Sequence, residues 1–201
     1  MRTRAKHYAK FLVEDGESET EQESSDIRVS ENNIYLYGEI NLDISLDFNY
    51  KFTKLEKEML IHGVKFNIDA PPVLVHINSI GGDIIPALSM VDTIRNSKVP
   101  VHTIIEGECM SAATLISCVG QKRLMRRNSV VLIHQMRTSY WGKLDECKED
   151  MKNNKKLTTI LKDIYITNTN MEMDYLEKML KKDIYITSEK CLSLGIVDEI
   201  M

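Results

Sequence analysis

Two nearly continuous apolar runs constrain this chain most, because each leads through a turn of small residues into a segment patterned as a helix. The first is Val73-Leu-Val-His-Ile77, which passes through Asn78-Ser-Ile-Gly-Gly82 into Ile84, Leu88 and Val91 at helical spacing. The second holds Val101, Thr103, Ile104 and Ile105, ends at Glu106-Gly107-Glu108, and reopens as Ser111-Ala112-Ala113 ahead of an apolar helix. A strand apolar on both faces must be covered on both faces, as a parallel strand between helices is. Strand–helix–strand–helix order then implies right-handed βαβ crossovers in an α/β domain. Pro86 is compatible with the helix because it falls in the first turn.

The same patterning predicts a strand at Ile34–Tyr37, helices over Phe52–Gly63 and Asp83–Asn96, and a strand ending near His134. Gln121-Lys-Arg123 reads as a basic turn. Lys143 to Ile166 reads as one long helix with too few partners in a domain of this size, so part of it should project or meet another subunit. A short helix over Met171–Lys181, a strand-like connector at Asp183–Ile186, a helix over Thr187–Leu194 and a last strand at Ile196-Val197 complete the chain.

At 201 residues a single domain is expected, with a flexible acidic tail over 1–32 and the folded domain over 33–201. The tail carries Glu14, Asp15, Glu17, Glu19, Glu21, Glu23 and Asp26 among small polar residues, too little apolar surface to offset ordering entropy. A formal charge of −4 argues against nucleic acid as the main partner. No apolar run of about 18 residues occurs, so no membrane span is expected. Cys109, Cys118, Cys147 and Cys191 lack zinc-like spacing and read as reduced thiols of an intracellular, cytoplasmic protein with no metal role.

Chemistry-bearing residues stand where strands end. A serine between a buried strand and a helix start has its hydroxyl lifted out of the sheet beside backbone N–H groups, so Ser111 is a candidate nucleophile; the alternative is an ordinary helix cap. His134 ends an apolar strand where the chain leaves the core, so its imidazole can be half buried and still reach a reactant. His76 and His102 lie inside strands and read as core histidines, while His7 and His62 have peripheral surroundings. Asp183 sits at an abrupt polar-to-apolar boundary and by itself reads as a surface acid.

Taken together, IYLYGEI, VHINSIGGDIIPALSMVDTI, GECMSAA, NSVVLIHQ and DIYITSEKCLSLGIVDEI occur in an order that resembles the ClpP family, the proteolytic subunits of Clp proteases and a divergent case of peptidase family S14. The resemblance covers about Asn33 to Met201. It implies a ClpP/crotonase-type α/β fold of repeated ββα units with a protruding handle helix. It also implies a serine endopeptidase in which Ser111 is the nucleophile, His134 the general base and Asp183 the orienting acid, with the backbone N–H groups of Gly82 and Ala112 as oxyanion hole. Further implications are homo-oligomerisation as heptameric rings stacked into a tetradecamer, unfolded polypeptide substrates, and no cofactor in this chain, ATP being used by a partner AAA+ unfoldase of the ClpX or ClpA type.

Departures from the family pattern are local. Ile80 replaces a proline between Ser79 and Gly81, Ala112-Ala113 replaces Met-Gly, and the turn at Gly120–Lys122 is shortened. Met136-Arg-Thr-Ser139 stands where Pro-x-Gly-Gly is usual, on a stretch bordering the substrate strand. Lys182 replaces an arginine, and the gating N-terminal segment is not recognisable in 1–32. Three other readings stay open: a catalytically silent ring subunit, an acyl-CoA enzyme on the crotonase fold, and a viral or phage maturation protease of the same type.

Overall fold

The computed structural model describes residues 27–201. The basic head and the acidic run assigned to a flexible tail lie outside the described residues. The sheet takes in residues before Asn33: β1 (Ile27–Ser30) pairs antiparallel with β2 (Asn33–Ile40), and Ile27 is fully buried. One apolar side chain with a ready edge to pair on is enough to bring this stretch into the sheet.

The central sheet runs β1-β2-β3-β4-β5-β8. Parallel strands β2, β3 (Val73–Gly82) and β4 (Val101–Met110) form its middle, flanked by β5 (Lys122–Met125) and β8 (Glu199–Ile200). Val73, Val75, Ile77, Val101 and Ile105 are buried, as the apolar runs require. Helices α1 (Leu42–Phe66), α2 (Ile84–Arg95) and α3 (Ala112–Cys118) supply the covering layer. Asn41 caps α1 by accepting from the Ile44 N–H at 2.9 Å, and Asn67 ends it in the left-handed region at φ 52°. Ile44, Phe48, Phe52 and Leu55 are its buried stripe.

Three neighbouring strands break register at one level, between Tyr37 and Glu39 in β2, Ile77 and Ser79 in β3, and the facing part of β4. Gly107 in β4 takes φ 70°, and a side chain there would meet the Asn78 amide at 2.8 Å. Asn78 Oδ1 in turn accepts the Glu108 N–H at 3.2 Å, satisfying a donor left by the irregularity. Beyond this layer β4 changes partner. His102–Ile105 pair with β5, whereas Glu108–Met110 pair with β6 (Val130–Leu132), which carries β7 (Ile186–Thr187) on its other edge. The strand ends beyond the bulges bear the candidate site.

Helix α4 (Leu144–Asn168) is 25 residues long and buries only Ile164 and Tyr165, so most of it projects from the domain as the pattern implied. Helix α5 (Met173–Leu180) packs on α4 and buries Leu176 and Leu180, and α6 (Ser188–Ser193) lies against β6, β7 and β8. The architecture is mixed α/β, consistent with a ClpP-type fold.

Two local expectations need correction. Lys122 and Arg123 are strand residues rather than a turn, because Arg123 is pinned: it pairs with Asp198 and donates to the carbonyls of Asn168 and Gly195. The last strand is Glu199–Ile200, and Ile196 and Val197 are core side chains on the approach to it. Cys109, Cys118 and Cys191 are buried free thiols, and burial raises Cys118 and Cys191 to about 12. No helix among the described residues is long and apolar enough to cross a membrane, and no His/Cys/Asp/Glu cluster there has metal-site geometry.

Candidate active site

Ser111 joins the end of β4 to the start of α3 with φ 52° and ψ −125°, a conformation costly for a side-chain-bearing residue. Neighbours over-determine it. Its N–H donates to the Leu132 carbonyl at 2.8 Å, extending the β4–β6 pairing by one step. Its own carbonyl accepts from the Thr114 N–H at 3.0 Å and the Thr114 hydroxyl at 2.6 Å. Because the Thr114 proton is thus committed, Tyr165 of α4 is the donor in the Tyr165–Thr114 hydroxyl contact. The buried root of the projecting helix is therefore hydrogen-bonded through Thr114 to the Ser111 carbonyl.

Gly81-Gly82 at the end of β3 backs onto this turn. A Cβ at Gly81, φ 89°, would lie 2.6 Å from the Met110 carbonyl oxygen and 2.8 Å from Ser111 Cβ; one at Gly82, φ 146°, would lie 2.1 Å from the Ile40 carbonyl oxygen. Only glycine permits so close an approach in these conformations. The Gly81 N–H donates to Ser79 Oγ at 3.1 Å, and Ser79 donates to the Gly38 carbonyl at 2.5 Å. A hydroxyl thus braces the turn where the family pattern has proline next in line.

Ser111, Gly82, Ala112 and His134 all border one cleft of about 450 Å³. His134 follows the buried Ile133, and the Gln135 N–H donates to the Leu180 carbonyl at 2.8 Å, holding the chain as it leaves β6. Its side chain is 12% exposed. Asp183 approaches from the segment after α5: its Oδ1 lies 4.0 Å from His134 Nδ1, beyond hydrogen-bond reach, while its Oδ2 accepts from Arg137 Nη2 at 3.0 Å. All five candidate residues therefore gather at one place, with the acid offset from the imidazole.

His76, read as a core histidine, is buried against Tyr35 at 4.5 Å between ring centroids, with Nε2 2.9 Å from Asn33 Oδ1 and Nδ1 3.1 Å from Glu106 Oε1. Glu106 also accepts from Tyr37 Oη at 2.7 Å and Arg126 Nε at 3.2 Å. Burial opposes its charge, but the Tyr37 hydroxyl bonded to it, with the His76 ring and the Arg126 guanidinium beside it, prevails and holds its carboxyl below the usual range. This is a bracing cluster on the sheet, away from the cleft. His102 is held low by burial and by Lys122.

Arg137 and Tyr165 went unassigned in the sequence reading. Arg137 enters the sequence pattern only as part of the Met136–Ser139 departure, and nothing in the sequence sets Tyr165 apart from its helix neighbours.

A profile of the Clp protease family matches residues 16–201. The ATP-dependent Clp protease proteolytic subunit of Deinococcus radiodurans is 30% identical over 131 residues, which is 64% of this chain and 64% of that protein. The aligned stretch thus spans just under two thirds of that relative's length. With a match across most of its length, a ClpP-type fold and modest identity, the chain belongs to the Clp protease family as a divergent member.

Proposed function

We propose that this chain is a serine endopeptidase subunit that hydrolyses peptide bonds of unfolded polypeptides by acyl transfer. The observation that carries the reading is Ser111 held at positive φ at the rim of a cleft it shares with His134, with Gly81 pressed against its Cβ. In the first step Ser111 Oγ attacks the scissile carbonyl carbon as His134 takes the hydroxyl proton. The tetrahedral oxyanion accepts hydrogen bonds from the Gly82 and Ala112 N–H groups. Collapse breaks the C–N bond, and the proton on His134 goes to the leaving amine. Water then attacks the acyl-serine with His134 again as base, releasing the acid and restoring Ser111. Asp183 orients the imidazole and stabilises the imidazolium once it closes on Nδ1.

The projecting α4 supports assembly into heptameric rings stacked as a tetradecamer, with the sites facing an inner chamber. An AAA+ unfoldase of the ClpX or ClpA type would consume the ATP and deliver substrate in the cytoplasm; this chain itself needs no cofactor. A second reading, a catalytically silent ring subunit, is favoured by one observation, the 4.0 Å gap between His134 and Asp183.

Hydrolysis of a set of fluorogenic peptides by the assembled protein separates the two. Ser111→Ala and His134→Ala should each lower kcat by about 10⁴-fold or more. Turnover equal in wild type and Ser111→Ala would remove the serine mechanism.

A further inference from the structure

The Asp183 carboxylate divides its oxygens. Oδ2 accepts from Arg137 at 3.0 Å, and Oδ1 faces His134 Nδ1 without reaching it. Arg137 stands on the segment after β6 and borders the cleft together with Ser111 and His134. Its side chain is 78% exposed and that of Asp183 59%, so the pair is solvated, weak and readily exchanged. A guanidinium on this carboxylate also weakens the negative potential that Asp183 presents to the imidazole.

We propose that Arg137 is a positioning residue that holds Asp183 off His134 until a carboxylate of the bound peptide takes the guanidinium. The inference rests on the serine-peptidase reading, and it assigns the enzyme a preference for an acidic side chain near the scissile bond. A peptide carboxylate offers the same planar pair of acceptors that Asp183 does, the geometry a guanidinium matches best. Exchange frees Asp183 to close on the Nδ1–H, so acidic substrates would complete the hydrogen-bonded set as they bind.

The other charged groups around the cleft restrict where an anion can sit. Glu39 from β2 and Asp83 from the β3–α2 junction disfavour an anion beside them. Lys162 of α4 also borders the cleft, but its ammonium is engaged by Glu177 at 2.5 Å. Lys182, next to Asp183 in the chain, borders a separate recess with Tyr175, Lys178 and Tyr185. Arg137 is thus the cation bordering the cleft that shares a carboxylate with the imidazole.

The test compares fluorogenic peptides that differ only by Glu against Gln, placed in turn at each position flanking the scissile bond, on wild type, Arg137→Gln and Arg137→Lys. Ser111 labelling by a fluorophosphonate is measured on the same preparations. Wild type should favour the Glu peptide in kcat/KM by about fivefold at one position, the scale of an exposed ion pair. In Arg137→Gln that preference disappears, kcat on the Gln peptide rises, and the acid limb of the kcat/KM profile moves to higher pH because the imidazolium faces an uncompensated Asp183. Arg137→Lys should fall between. A lower kcat with an unmoved acid limb, or a Glu preference that survives in Arg137→Gln, overturns the inference while a labelled Ser111 leaves the peptidase reading standing. An unlabelled Ser111 in every variant overturns both.

Discussion

Gly81→Ala tests the link between backbone geometry and the nucleophile. At φ 89° an L-residue carries a left-handed penalty of about 1–2 kcal/mol. Its Cβ would lie 2.6 Å from the Met110 carbonyl oxygen and 2.8 Å from Ser111 Cβ, contacts that real Cβ atoms do not tolerate, and a tight 3.0 Å from the Ala112 nitrogen. Relieving them adds an overpacking cost of about 1–3 kcal/mol. The sum is about 2–5 kcal/mol, which for a domain of this size lowers Tm by at least about 4 °C. Because two of the three crowded atoms belong to Ser111 and Ala112, relief must move the turn that carries Ser111, and a displacement near 1 Å costs about 10²-fold in rate if Ser111 is the nucleophile. Gly107→Ala is the control: it has φ 70° and a clash at 2.8 Å, but with the Asn78 amide instead of the Ser111 turn. Thermal unfolding and the rate of Ser111 acylation should fall together in Gly81→Ala, whereas Gly107→Ala should lose stability with a much smaller loss of rate. A Gly81→Ala protein with wild-type Tm and acylation rate would refute the reasoning, as would equal rate losses in the two variants.

Other consequences follow from named contacts. Tyr165→Phe deletes the hydroxyl that donates to Thr114 and should cost about 0.5–1.5 kcal/mol by denaturant unfolding, with a several-fold slower acylation of Ser111 if α4 positions the turn. Phe48→Ala, at a fully buried position of α1, should cost about 3–5 kcal/mol, whereas Leu46→Ala, 69% exposed, should cost under about 0.5 kcal/mol in the isolated subunit. Glu106 is held below its ordinary value of 4.5, so its contribution is complete above that pH and is lost as pH falls through the lower folded value. Acid unfolding curves of wild type and Glu106→Gln should therefore differ most at neutral pH and converge in acid.

The parallel core was legible because burial on both faces leaves a continuous apolar run, as at Val73–Ile77 and Val101–Ile105. Where each strand ended was less legible. Gly107 looked like a terminator, yet β4 runs on to Met110, because Asn78 bridges the irregularity and β6 offers a fresh edge. The first part of α1 was hidden for a different reason. Leu42, Ile44, Leu46, Phe48, Tyr50 and Phe52 alternate with polar residues at the period of a strand. The helix buries every second one of them, Ile44, Phe48 and Phe52, and leaves Leu42, Leu46 and Tyr50 exposed. Period alone cannot separate those cases.

The site divides along the same line. Ser111 and His134 stand at strand ends, a position that the pattern of apolar residues alone makes visible. Asp183 was assigned only through family resemblance, since a single acid in a loop carries no signal of its own. The pairing of Arg137 with Asp183 depends on a turn after β6 meeting a turn after α5, which no local pattern encodes.

The central claim, that Ser111 is an activated nucleophile in an assembled peptidase, is tested most directly by native mass spectrometry after fluorophosphonate treatment of wild type and Ser111→Ala. The account predicts one adduct per wild-type subunit on a species of ring mass, mapped to Ser111, and none on Ser111→Ala. A ring that never takes the adduct would contradict the account, as would an adduct that persists in Ser111→Ala.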